Sequence, residues 1–253
     1  MVHKKVFILI ALCAISLAFR FKSNPVIQNG FAVVELFTSE GCASCPPADD
    51  ILAKIAEENK DKSVYILAYH VDYWDRLGWK DTFSDRRYSQ RQYQYSNWLK
   101  LVGVYTPQIV VNGTREFVGS EEKTLRSSIR SAIAEVSKNK LDISLQKQGD
   151  AIMTLNYHAG QNTQGYHLIV AYITPHASNR IERGENKGKK LSHVQIVRNY
   201  ESFSLNGKES GQVTLAAIKG ISQGDAEVIG FLQNDETGKI TAATKFTIKA
   251  AHG

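Results

Sequence analysis

The chain has 253 residues, 43% of them apolar and 22% charged, with three cysteines and a formal charge of +6. This is the composition of a globular protein able to bury a core, and it excludes collagen, coiled coil, bulk disorder and a disulfide-stapled miniprotein. Lys4 and Lys5 carry part of the modest positive charge, so no nucleic-acid partner is expected.

The N-terminus reads as a signal peptide over residues 1–18. MVHKK is a basic start, Val6 to Phe19 is an apolar run of fourteen residues, and Ser16-Leu17-Ala18 is a small-x-small cleavage site. A membrane-spanning helix needs roughly 20 apolar residues, so no stable insertion is expected once the signal is removed. Leu12 before Cys13 does not suit a lipoprotein signal. The expected location is the periplasm or the cell exterior, with Cys42 and Cys45 the two remaining thiols.

Residues 31–140 alternate strand and helix patterns, which favours a mostly parallel sheet covered by helices. Val33 to Phe37 suits a buried strand, and Ala48, Ile51, Leu52, Ile55 and Ala56 follow at helical spacing. Val64 to His70 is the next strand. Behind a cap at Thr82 or Asp85, Tyr88, Tyr95, Leu99 and Val102 fall on one face of a helical insertion. Gln108–Val111 and Arg115–Val118 form two strands joined at Asn112-Gly113, a turn that needs left-handed residues. Leu125, Ile129, Ile133 and Val136 mark a last amphipathic helix. From residue 141 to 253 the period becomes two, with about seven strands in roughly 110 residues, the pattern of an antiparallel sandwich. Between two of those strands, Arg180 to Lys190 (RIERGENKGKK) reads as a long solvated loop.

The chemistry concentrates in Gly41-Cys42-Ala43-Ser44-Cys45-Pro46. A Cys-x-x-Cys between a strand and a helix has the context of a redox motif. The helix N-terminus, through free N–H groups and its positive dipole end, favours a thiolate at the first cysteine, and the second can resolve a mixed disulfide. Pro46 and Pro47 fall in the first turn, where a missing N–H costs little. Ala43-Ser44 adds no positive charge, so the expected poise is less oxidising than with a histidine there. Zinc would need two further ligands, and the sequence has no second Cys-x-x-Cys or paired histidine spacing. A structural disulfide closing so short a loop would restrict the unfolded chain little. The two thiolates with His70 would also suit copper, although Met1 and Met153 are the only thioethers.

Tyr105-Thr106-Pro107-Gln108 precedes a strand at the place where a cis proline would lie against the cysteine pair, Pro107 being the residue type that makes such a bond accessible. A third cluster, His70-Val71-Asp72-Tyr73-Trp74-Asp75 with Trp79 and Asp81, follows the second strand. If the first two strands are parallel, it borders the cysteines at the carboxyl edge of the sheet. Asp72 or Asp75 could take a proton or orient His70, and Trp74 and Trp79 could line a groove; equally, the aromatics could cover the core and the carboxylates cap the next turn. Arg91 and Gln92 on the inserted helix are candidates for the same cleft.

The strings VELFTSEGCASCPPAD, HVDYWDRLGWKD, VYTPQIVVNG and RGENKGKKL resemble a bacterial and plant family of secreted thioredoxin-like proteins catalogued as a domain of unknown function, over about Val34 to Arg198. The resemblance implies an α/β thioredoxin-like domain with a helical insertion (31–140), followed by an all-β, sandwich-like C-terminal domain (141–253). It implies redox positions at Cys42 and Cys45 and the cis-proline position at Pro107, but no reaction. The expected activity is thiol–disulfide exchange with protein or peptide thiols and disulfides. It needs no cofactor beyond the cysteine pair, and Thr106-Pro107 would hold an extended substrate segment. The alternative is a noncatalytic binding protein, either a copper carrier or a partner-docking module.

Overall fold

The computed structural model describes residues 30–149, 152–216 and 226–248. The signal-peptide reading, with Cys13, lies outside them. No helix among the described residues is long and apolar enough to cross a membrane.

The chain begins with strand β1 (Ala32–Thr38), buried at every position, and continues into helix α1 (Pro46–Glu58). Strand β2 (Val64–His70) runs parallel to β1 with Thr38 opposite His70, so the segments after both strands leave the same edge. A 3-10 helix (Asp72–Leu77) leads to α2 (Arg86–Trp98), whose N-cap Asp85 accepts a 2.8 Å hydrogen bond from the Arg87 N–H. Strands β3 (Gln108–Val111) and β4 (Arg115–Val118) form a hairpin whose turn places both Asn112 and Gly113 at positive φ. Helix α3 (Glu122–Ala134) follows. Strands β5 (Leu141–Gln148), β6 (Ile152–Ala159), β7 (Tyr166–Arg180), β8 (Lys190–Ser204), β9 (Ser210–Ala216), β10 (Ala226–Asn234) and β11 (Ile240–Ile248) complete the order.

The expected α/β thioredoxin-like domain with a separate sandwich behind it is not the fold observed. The protein is mostly β, and one mixed sheet of eight strands, ordered β11-β10-β7-β8-β2-β1-β3-β4, takes strands from both halves of the chain. Strands β5, β6 and β9 form a second, three-stranded antiparallel sheet. The joint is β8, which lies parallel to β2 at Ala68 and Ile196 and antiparallel to β7 along nearly its whole length. Val194, Ile196 and Val197 are all buried, so this part of β8 is apolar on both faces and suits a central strand rather than a sandwich edge.

Three apolar clusters fix the layers. On one face, α1 and α3 press Leu52, Ile55, Leu125 and Ile129 against Val34, Leu36 and Ile66. The three-stranded sheet covers β7, β10 and β11 through Leu155, Leu215, Leu168 and Val228. A third cluster gathers Val33, Phe37 and Tyr69 with Tyr88 and Tyr95 of α2, and continues into Ile169, Val197 and Phe231 of the second half. Helix α2 is therefore a cover for the sheet rather than an added insertion. It ends before Val102, which is fully exposed.

Candidate functional site

The loop between β1 and α1 carries the cysteines. They form a disulfide with an S–S distance of 2.13 Å, and both are fully buried while Ala43 and Ser44 between them are exposed. Cys45 is the N-cap of α1, and Pro46 and Pro47 occupy its first two positions. The next two helical N–H groups, of Ala48 and Asp49, both donate to the Cys45 carbonyl, at 2.9 and 3.2 Å. The helix start thus offers Cys42 fewer free donors than its sequence suggests; the polar contacts of the sulfur are hydroxyls instead. Thr106 Oγ1 donates to Cys42 Sγ at 3.3 Å, and Ser44 Oγ lies 3.4 Å from the same sulfur.

Thr106 is held in turn by Trp74, whose indole N–H donates to its hydroxyl at 2.8 Å. The Thr106–Pro107 peptide bond is cis. Gly119 lets this loop come close: a Cβ there would stand 2.9 Å from Pro107 Cβ and 3.1 Å from Ala48 Cβ. Gln92 supports the loop from behind, donating to the Tyr105 carbonyl at 2.7 Å and to Gln108 at 2.8 Å, while Tyr73 donates to Gln92. Cys42, Cys45, Thr106, Pro107, Trp74 and Gln92 therefore belong to one assembly.

The remaining candidates lie elsewhere. Asp72 accepts from the Ser89 hydroxyl and ties the 3-10 helix to α2. Asp75 accepts from the Ser84 hydroxyl at 2.7 Å and from the Asp81 N–H at 3.2 Å; burial pushes its pKa up. Arg91 does not reach the cysteines. It is buried against Glu35 of β1, with its Nε 2.6 Å from that carboxylate, and also donates to Gln233 of β10 at 3.1 Å.

His70 is fully buried behind the disulfide loop, with Nδ1 2.6 Å from Asp81 Oδ2. Burial would raise the Asp81 pKa, but His70 and the N–H groups of Glu40 and Phe83 outweigh it and hold the carboxyl below its usual range. The ring of His193 from β8 stands 4.8 Å from that of His70, nearly perpendicular to it. Its nitrogens face Glu40 at 3.3 Å and Asp49 of α1 at 3.7 Å, distances of an ion pair rather than of well-formed hydrogen bonds. Burial would lower the His193 pKa, yet the two carboxylates together raise it to about 9. Among the described residues, no group of three His, Cys, Asp or Glu side chains is arranged to hold a metal ion.

The Arg180 to Lys190 stretch departs furthest from its expected part. Its centre packs on the cysteine loop: Asn186, fully buried, donates to the carbonyls of Glu40 and Cys42, both at 2.9 Å. Glu185 accepts the Ala43 N–H at 3.1 Å. Asn179 and Trp79 donate to Glu40, each at 2.8 Å. Glu185 and Asn186 fall in the RGENKGKKL string, but nothing local marks them or His193 as neighbours of the cysteines; β8 running beside β2 brings them there.

Residues 33–233 match the model of one family, described as protein of unknown function (DUF1223). The chain belongs to that family. The resemblance in the sequence holds at that level. The DUF1223 chain is also similar to a crystal structure of protein AGR_C_4864 from Agrobacterium tumefaciens, at 28% identity and a TM-score of 0.66, covering 89% of this chain and 97% of that one. A domain of the outer membrane lipoprotein Omp28 from Porphyromonas gingivalis shares 14% identity over 46% of this chain and 91% of its own, with a TM-score of 0.29, too low to carry an argument. No curated protein matches the DUF1223 chain.

Proposed function

We propose that this DUF1223 protein is a thiol–disulfide oxidoreductase working through Cys42 and Cys45. The observation that carries the reading is the convergence on one sulfur. Cys42 Sγ receives the Thr106 hydroxyl at 3.3 Å, and the Trp74 indole N–H, donating to that same oxygen, leaves the hydroxyl's own proton free for the sulfur. A donor so placed favours the thiolate over the thiol.

In the reduced protein the Cys42 thiolate attacks a substrate disulfide, forming a mixed disulfide and releasing one substrate sulfur, which takes up a proton. Cys45 gives up its proton and attacks Cys42 Sγ, which closes the Cys42–Cys45 bond and releases the second substrate thiol. Two electrons pass from the cysteine pair to the substrate, and the reverse sequence oxidises a substrate dithiol. The substrates are protein or peptide thiols and disulfides, and the working compartment is extracytoplasmic; N-terminal sequencing of secreted material checks the cleavage after Ala18.

Equilibration with dithiothreitol or glutathione buffers tests the chemistry. A potential above about −300 mV is expected, and one below it marks a structural bond and sinks the proposal. Trapping assigns the roles: reduced Cys45→Ser accumulates a mixed disulfide with a disulfide-bonded peptide, releasing the peptide's other half as thiol, and Cys42→Ser does not.

A further inference from the structure

The disulfide is fully buried, and exchange requires a sulfur to be reached by another sulfur. The tip of the β7–β8 hairpin packs on the backbone of the loop that carries the disulfide, at Glu40, Cys42 and Ala43. Arg180 pairs with Lys190 at the end of the ladder, and beyond it Ile181 donates to the Lys189 carbonyl at 2.9 Å and Gly188 to the Ile181 carbonyl at 2.7 Å. These bonds close a neck, and residues 182–188 form a small loop beyond it.

The loop has almost no apolar anchor. Residues 182–185 and 187–190 are exposed, and between them Asn186 is fully buried. Its two amide protons go to the Glu40 and Cys42 carbonyls, and its own carbonyl accepts from Lys189 at 2.9 Å. The Glu185 carboxylate sits on the Ala43 N–H, and Gly184 rests on Trp79, where an added Cβ would come within 3.3 Å of the indole's Cβ. Gly184 and Gly188 both have positive φ, +73° and +84°. The contacts therefore fall on the backbone of the redox loop itself, on either side of Cys42. A cover seated by hydrogen bonds gives up little on opening, because water replaces each bond, whereas an apolar plug would have to be pulled from its core.

We propose that residues 182–188 form a displaceable lid at the Cys42–Cys45 disulfide, latched by Asn186, and that lifting this lid sets the rate at which the disulfide is reached. The inference rests on the exchange reading for its purpose, while its geometry stands apart from it. Local opening of this kind leaves the strands of the neck in place and exposes Cys42 without global unfolding.

The test is the rate of disulfide reduction by tris(2-carboxyethyl)phosphine in the full-length protein, followed by thiol release. Asn186→Ala removes both amide bonds and is expected to raise that rate at least tenfold. Glu185→Ala changes an exposed residue that leaves the fold intact, and is expected to raise it about threefold. Circular dichroism melts of each variant identify any that is globally destabilised, in which case Glu185→Ala decides. Wild-type rates in a folded variant overturn the lid. The reductant reads access alone: a fast variant whose potential lies in the range of structural disulfides keeps the lid and removes the exchange reading, and an unchanged rate with a potential above that range does the reverse.

Discussion

Thr106 acts through a single hydrogen atom. Its hydroxyl accepts from the Trp74 indole and so has its own proton free for Cys42 Sγ. Thr106→Val keeps the shape and removes the donor. A hydrogen bond to a charged group is worth about 1.5–3 kcal/mol, and one pKa unit is about 1.4 kcal/mol. The Cys42 thiol of the reduced Thr106→Val protein is therefore expected to titrate about one to two units higher than in the wild type, read from the pH dependence of alkylation by iodoacetamide; an unshifted profile shows that the hydroxyl does not serve the thiolate. At this scale much was legible. The cysteine spacing, the helix after it and the Thr-Pro before β3 are local patterns that chain order preserves. Gly119 was not, because the reason for its missing side chain is Pro107 on the neighbouring loop.

Among the elements, α1, β8 and the β1–α1 loop are joined by one buried imidazole. His193 stands between Glu40 and Asp49, and its folded pKa of about 9 lies above the value near 6.5 of an unfolded histidine. A raised pKa gives stability that is full below about pH 6.5 and is lost as pH climbs through about 9. Thermal melts of the wild type are expected to fall over that window, and those of His193→Gln to fall much less. At pH 6.5 the same substitution leaves two buried carboxylates without their cation, at a cost of about 3 kcal/mol, the low end for a broken buried pair because Trp79, Asn179 and Thr38 still donate to them. Equal stability of the two proteins at pH 6.5 contradicts this account. Helix α2 shows why such groups escape a reading by periodicity. Its buried face includes Arg91 and Gln92, polar residues that an apolar pattern assigns to solvent. Their partners, Glu35, Gln233 and Gln108, come from strands far apart in the chain.

At the scale of the molecule, strand positions were legible and sheet membership was not. The period of two after residue 141 marks strands where strands stand, but alternation along a strand says which side faces a core and not which strand lies next to it. The pairing of β8 with β2 merges the two halves, and the α2-side core draws Val33, Phe37 and Tyr69 from one and Ile169, Val197 and Phe231 from the other. A fragment of residues 30–140 is accordingly expected to lack a cooperative melt and dispersed amide resonances. A fragment with native-like spectra contradicts that dependence.

The two prolines at the head of α1 also bear on what else the cysteines can do. Most helix N-termini are seats for oxyanions, because their first N–H groups point outward unpaired. Here the first two are missing and the next two are spent on the Cys45 carbonyl. A sulfenate or sulfinate oxygen formed by peroxide at Cys42 would find no row of main-chain donors at the helix start. This helix start suits sulfur that trades partners with sulfur better than sulfur that takes up oxygen.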